Sequence, residues 1–417
     1  MTSHPSFRGI ALETMEGIVV LLDLPDICSL RLVAREVCQK ASTGIFRTHF
    51  RRKKVKLTTE HIQRAISVMQ QLRFGCLLEH LALVAVPALL GPDLQEQESQ
   101  QSLTHLLQRA LEIMCRSSKR GCLPSITLAV EGAGTDDRNR PSIWDAAATC
   151  FEMTVLALGS SKLPIENLDV FGSVTCCSLA CDQVAAVLTK VNLADSFRGL
   201  KRLSLGLSHH EVRQPESEYM QSPAFGRANT KAICQFLQLC PRLTDLQLHW
   251  YRTYHEHGEI WSAALSDEMQ FFDRITESCR FPCLERLTLK GIYTNGTVLV
   301  SFLRQVQISS LDMREINLGS SGGFRPVFDY LSDHMQQLEY LHLDDLWESK
   351  LISFDAPGKP HFPSVGRGPH GPHAITRTGE DARKVIGYRE PRGRAAGSVA
   401  CYRWAEKRHL NYGPSRN

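Results

Sequence analysis

The stretch "LERLTL" at residues 284–289 places an apolar residue, two polar ones, a second apolar residue, one polar and a third apolar residue. Its last positions alternate, as a half-buried strand does, and the three-residue step before them is a tight turn into that strand. The hexad recurs as "LEHLAL" from Leu78, "LPSITL" from Leu123, "IENLDV" from Ile165, "LKRLSL" from Leu200 and "LTDLQL" from Leu243. Further copies are "MREINL" from Met313 and "LEYLHL" from Leu338, and "VKL" from Val55 reads as a shortened first copy. Between them lie stretches such as "SLTHLLQRALEIMC", "TKAICQFLQLC" and "FRPVFDYLSDHM", with apolar residues three and four apart, the spacing of a helix with one apolar face. The series predicts an α/β strand–helix repeat over residues 53–354. The competing arrangement, an ordinary sheet covered on both faces, calls for longer unbroken apolar strands.

Outside the repeat the composition changes. The chain has 417 residues and a net charge of +4, too mild by itself to imply nucleic acid or membrane as a partner. Residues 355–417 carry 12 Lys and Arg against 5 Asp and Glu, so the positive excess belongs to the tail. "DAPGKPHFPSVGRGPHGPHAITRTG" is rich in Gly, Pro and His and has no periodicity, which predicts a largely irregular C-terminal tail over 355–417, partly ordered at best. No secretory signal or spanning apolar run is visible. Fourteen cysteines in such a chain point to free thiols in a reducing compartment, and so to a cytoplasmic or nuclear protein.

The N-terminal region has a helical pattern. Glu13 to Leu22 reads as one short helix, and Asp23 can cap a second, with Pro25 and Asp26 in its first turn. On that second helix Ile27, Leu30, Ala34, Val37 and Ala41 form one apolar stripe. Helices this short are marginal alone, so they must pack on the rest of the chain or on a partner.

A two-helix module ahead of a strand–helix repeat resembles an F-box protein with leucine-rich-type repeats, of a fungal sequence type. The F-box pattern begins Leu-Pro-x-Glu; here "IALE" puts Ile10 and Ala11 at its start and keeps Glu13. Leu22, Leu24, Asp26 and Ile27 match the turn, and Leu30, Arg31, Val33, Ala34 and Arg35 the following helix, with Val37 where the family often has Trp. The repeat copies, 25 to 45 residues apart, are longer than the family's usual ~20–29. The resemblance implies a helical F-box at residues 8–50, a leucine-rich-repeat-like solenoid at 53–354, and the role of a non-catalytic substrate receptor in an SCF-type cullin–RING ubiquitin ligase, serving ubiquitin-dependent protein degradation. Its F-box would bind a SKP-family adaptor through Ile10, Glu13, Ile18, Leu22, Leu24, Pro25, Ile27, Leu30 and Val33. Its solenoid would bind a protein substrate. The alternative is a repeat scaffold whose degenerate F-box recruits no ligase.

No enzyme signature is present: the chain lacks a phosphate loop, a nucleophile elbow and a dinucleotide glycine fingerprint. No catalytic residue, cofactor, metal or membrane partner is expected, and nucleic acid is the least favoured partner. Cys176, Cys177, Cys181, Cys279 and Cys283 lack the paired two-residue gaps of zinc sites, and Cys240 and Cys279 read as helix-end core residues. "HWYRTYHEHGEIW" at 249–261 follows a repeat strand, and its His249, Trp250, Tyr251, Tyr254, His255 and His257 form a candidate substrate-binding loop, since exposed aromatics serve protein recognition. Local packing of the same rings is the equal alternative. "RRKKVK" at 51–56 reads as a solvated link between module and repeat.

Overall fold

The computed structural model describes residues 9–42, 44–71, 77–87, 94–118, 120–133, 140–208, 227–252, 260–319, 322–362, 364–365, 371–390, 394–395 and 399–413. The strands are β1 (Arg52–Lys56), β2 (His80–Ala85), β3 (Leu123–Val130), β4 (Ile165–Val170), the short β5 (Leu179–Ala180), β6 (Arg202–Ser208), β7 (Asp245–Trp250), β8 (Arg286–Lys290), β9 (Ser310–Arg314) and β10 (Tyr340–Asp344). All but β5 lie side by side in sequence order, each parallel to the next, and β5 pairs beside β6. The protein is thus mixed α/β with a mostly parallel sheet.

Register follows the hexads. Leu203, Leu246, Leu287, Leu311 and Leu341 are mutual partners across five strands, and all are buried. The row of Leu205, Leu248, Leu289, Met313 and Leu343 is buried beside it. The residues between point to the other face and are polar or charged (Gln247, Thr288, Asp312, His342). Period-two alternation therefore makes a sheet with one apolar and one polar side. The crossing helices pack on each other in the same order as the strands, from Thr59–Gln71 on Leu94–Ser117 through to Gly296–Leu303 on Arg325–His334. They form a single layer over the apolar side.

One repeat copy is misplaced in the sequence reading. The strand is not in "MREINL" but in "ISSLDM" from Ile308, because Leu311 and Met313 take the register of Leu287 and Leu289. "MREINL" satisfies the same pattern five residues later, but Ile316 and Leu318 lie past the strand's end, where Asn317 bridges Tyr293 and Trp347. "RRKKVK" is also not a link: it enters β1, the outer edge of the sheet, with Arg52, Lys53 and Lys54 exposed. A charged edge of this kind resists pairing with another chain.

The N-terminal helices form a separate unit. α1 (Leu12–Val20), α2 (Leu24–Arg31), α3 (Arg35–Ala41) and α4 (Ile45–Thr48) enclose Met15, Val19, Ile27, Val37, Ala41 and Phe46, a cluster distinct from the core of the sheet. Asp23 caps α2, accepting from the Asp26 N–H at 2.9 Å. The expected long second helix is two: the chain is extended at Ala34 (φ −160°) and restarts as α3. The break turns α3 back onto α1, where Lys40 donates to the Ile10 carbonyl at 2.6 Å. Arg31 then lies 4.1 Å over the Phe46 ring and donates to Ser42 at 2.8 Å.

The tail is more ordered than its composition predicts. β11 (Ser353–Phe354) and β12 (Ser364–Val365) precede β13 (Ala374–Thr378), which closes the sheet antiparallel to β10. β14 (Tyr388–Arg389) pairs with β11 and β15 (Arg394–Ala395) with β12, and a C-terminal helix, Val399–Tyr412, follows. The physical reason is an open edge: β10 offers a row of backbone groups, and the tail satisfies them. Among the described residues no helix is long and apolar enough to cross a membrane.

Candidate functional site: the polar sheet face and the C-terminal helix

On the polar side of the sheet, side chains line up across strands by register. One row runs Arg202, Asp245, Arg286, Ser310 and Tyr340. Asp245 accepts from both flanking arginines at 3.0 Å. A second row runs Ser204, Gln247, Thr288, Asp312 and His342, and a third, at the strands' C-terminal ends, His249, Lys290, Arg314 and Asp344. Arg314 is held by both Asp312 oxygens at 2.8 and 2.7 Å. Among the described residues Lys290 has no such close carboxylate pair, and burial followed by the charge of Arg314 lowers its pKa.

The C-terminal helix lies over this third row and encloses a cleft of about 700 Å³ between its Arg403, Lys407 and Arg408 and the strand ends. Its attachment is specific at the C-terminal end, where helix carbonyls lack intrahelical donors. Tyr251 Oη donates to the His409 carbonyl (3.3 Å), the Cys176 N–H to Leu410 (3.3 Å), His249 Nε2 to Asn411 (2.7 Å) and the Arg252 N–H to Tyr412 (3.0 Å). Gly413 ends the helix at φ +80°, and a Cβ there would stand 2.0 Å from the Arg252 carbonyl oxygen, so only glycine fits.

A buried charge cluster fixes the same helix. Glu315 is fully buried and binds Arg408, with Arg252 at 3.4 Å and Trp347 Nε1 donating at 3.2 Å. Arg252 also lies 3.6 Å from buried Glu268. The local backbone explains why these side chains can reach. Phe171, Gly291, Glu315 and Asp345, each directly after its strand, are left-handed (φ +50° to +69°). Non-glycine residues hold this conformation at a cost and persist where the surroundings over-determine them. Here Glu315 meets Arg408, and Asp345 accepts from Trp404 Nε1 at 2.8 Å.

Beside the cleft, His361 Nε2 lies 3.1 Å from Asp344 and 3.3 Å from Asp345, which push its pKa up to about 10. Burial raises the pKa of the Asp345 carboxyl as well, toward its neutral form. Asp345, His361 and His373 bring one donor atom each within 4.8 Å of one another, a set able to hold a metal ion.

The structure divides the residues expected to bind partners. Of the adaptor set, Ile27 is fully buried and serves the module's own core; Ile10, Leu22, Leu24 and Leu30 are half-buried against it. Ile18 is half-buried, and Glu13, Pro25 and Val33 are exposed. Ile27 is therefore corrected from contact residue to core residue. In the candidate loop, His249, Trp250 and Tyr251 are also buried: the first two complete β7, Trp250 packs on Phe271 (4.7 Å) and Tyr251 on Trp144 (6.0 Å). Their rings pack inside, with His249 and Tyr251 capping the C-terminal helix, so the recognition role fails for these three. Tyr254, His255 and His257 lie outside the described residues. Cys240 and Cys279 are buried core residues, as their positions predict. Sequence reading missed the charge cluster and the histidine–aspartate group. Their members are scattered from Arg252 to Arg408, and no local sequence pattern joins them. No protein-family model matches the chain, and no curated protein matches it.

Proposed function

We propose that the chain is a non-catalytic substrate receptor of an SCF-type ubiquitin ligase, in which an F-box docks a SKP-family adaptor and a leucine-rich-repeat-like solenoid presents a protein-binding face. The observation that carries it is the separate N-terminal module. Its own core is satisfied, yet Leu12, Val20, Leu21, Leu32 and Val33 stay exposed, Leu21 and Leu32 at 85% and 88%. Large apolar side chains concentrated on so small a unit favour a partner surface, and a standard interface needs only about 800 Å² from each side. The sequential parallel strands, with helices on one side and polar rows on the other, suit a binding platform. The residues matching the F-box pattern add the identity of the partner.

Co-expression with a SKP-family adaptor tests the reading. A complex that survives gel filtration is expected, and the double variant Leu21→Asp/Leu32→Asp is expected to abolish it while the chain stays folded by circular dichroism. If no complex forms, or if the double variant binds as well as the parent, the receptor reading falls and the scaffold with a degenerate F-box replaces it.

A further inference from the structure

We propose that Asp345, His361 and His373 bind one divalent transition-metal ion of the zinc class, which clamps the tail to the end of β10. The inference does not depend on the partner reading above.

The main chain brings the three together. β13 runs antiparallel to β10 with Asp344 opposite Ala374, and the Asp345 N–H donates to the His373 carbonyl at 3.2 Å. His373, almost fully buried, is thereby held next to Asp345, and the His361 ring lies 5.3 Å from its ring. Two carboxylate oxygens, Asp344 Oδ1 and Asp345 Oδ1, then converge on one imidazole nitrogen, His361 Nε2, at 3.1 and 3.3 Å. A single N–H can satisfy one acceptor well. Asp345 Oδ1 is buried and accepts no hydrogen bond among the described residues.

One of these distances suits a metal directly, and the donor of His373 lies within 4.8 Å of the other two. Ligands at 2.0–2.1 Å in a tetrahedral zinc site stand about 3.3 Å apart, the separation of His361 Nε2 from Asp345 Oδ1. The other oxygen, Asp345 Oδ2, already accepts from Trp404 Nε1, and outer hydrogen bonds of this kind orient ligating carboxylates. A divalent ion would also offset the charge of two adjacent aspartates close to Glu315, and would give Asp345 Oδ1 a closer partner than its 3.3 Å ion pair with His361. Mixed imidazole and carboxylate donors suit zinc and its neighbours, whereas magnesium and calcium prefer oxygen alone. Asp344 Oδ1 or water would complete the shell.

The test uses the untagged full chain, stripped with chelator, loaded with zinc and dialysed. One zinc per chain is expected beyond any held by thiols. The partly exposed His361→Gln and, separately, His373→Gln should each weaken zinc binding at least tenfold, while His334→Gln, elsewhere on the surface, keeps it. Loading with cobalt(II) should give visible bands that both variants lose. Circular dichroism confirms that the variants fold. Failure of the parent chain to retain zinc overturns the proposal whatever the variants do. Equal retention by parent and His361→Gln overturns it as well, since the metal then sits elsewhere, on cysteines for example.

Discussion

Ile27→Ala separates the module from the sheet. Ile27 is fully buried within a core of six residues that shares none with the sheet's core. Truncating a buried isoleucine to alanine costs about 2–5 kcal/mol. At about 0.05–0.15 kcal/mol per residue, a unit of about forty residues has only about 2–6 kcal/mol in total. The loss is therefore comparable with everything holding the module together, and negligible for the rows of leucines beneath the helices. Hydrogen exchange should show amides of residues 12–48 losing most of their protection while those of β6 to β10 are unchanged. Far-UV circular dichroism should fall by a small helical fraction. Val33→Ala, at an exposed site, should change stability by less than about 0.5 kcal/mol. If Ile27→Ala instead lowers protection equally in module and sheet, the two fold as one cooperative unit, and the account of separate cores is wrong.

The buried cluster under the C-terminal helix should behave oppositely to a surface ion pair. Glu315→Ala leaves Arg408 buried without its carboxylate and is expected to cost about 3–5 kcal/mol in urea denaturation, with much of this recovered in Glu315→Leu/Arg408→Met; a loss under 1 kcal/mol would contradict the burial. His249 gives a pH signature. Burial, then Lys290, lowers its pKa to about 4 from the ordinary 6.5, so the unfolded chain binds the proton first. Its contribution is complete above pH 6.5 and is lost as pH falls toward 4, up to ~3 kcal/mol at about 1.4 kcal/mol per unit. His249→Gln, which can still donate to the Asn411 carbonyl, should flatten that part of the stability–pH curve; an unchanged curve would show that His249 is not the group responsible. Thiol labelling of the native chain should reach exposed Cys28 and Cys283 quickly, while Cys150, whose thiol burial pushes up to about 12, reacts only on unfolding.

The sheet was legible because its information is local. Each hexad carries its own apolar alternation, and parallel register then needs only that like rows meet. Where two hexads overlapped in "ISSLDMREINL", the local pattern was degenerate, and only the partners Leu287 and Leu341 chose between them. The module's helices were legible for the same reason, through Asp23 and Pro25. Its interior was not: an apolar stripe of Ile27, Val37 and Ala41 looks alike whether it meets a partner or folds onto Met15 and Phe46. Here the break at Ala34 decided the matter, and no single residue signals that break. The tail was misread because Gly, Pro and His describe its own propensity, whereas its order comes from groups outside it. The open edge of β10, the carboxylates of Glu315 and Asp345, and the donors of His249, Tyr251 and Arg252 are what hold it. The "HWYR" stretch that looked like a recognition loop is one of those outside groups. His249, Tyr251 and Arg252 are explained by holding the C-terminal helix and Trp250 by packing on Phe271, which moves the search for a substrate surface to the polar rows of β6 to β10 that no helix covers among the described residues.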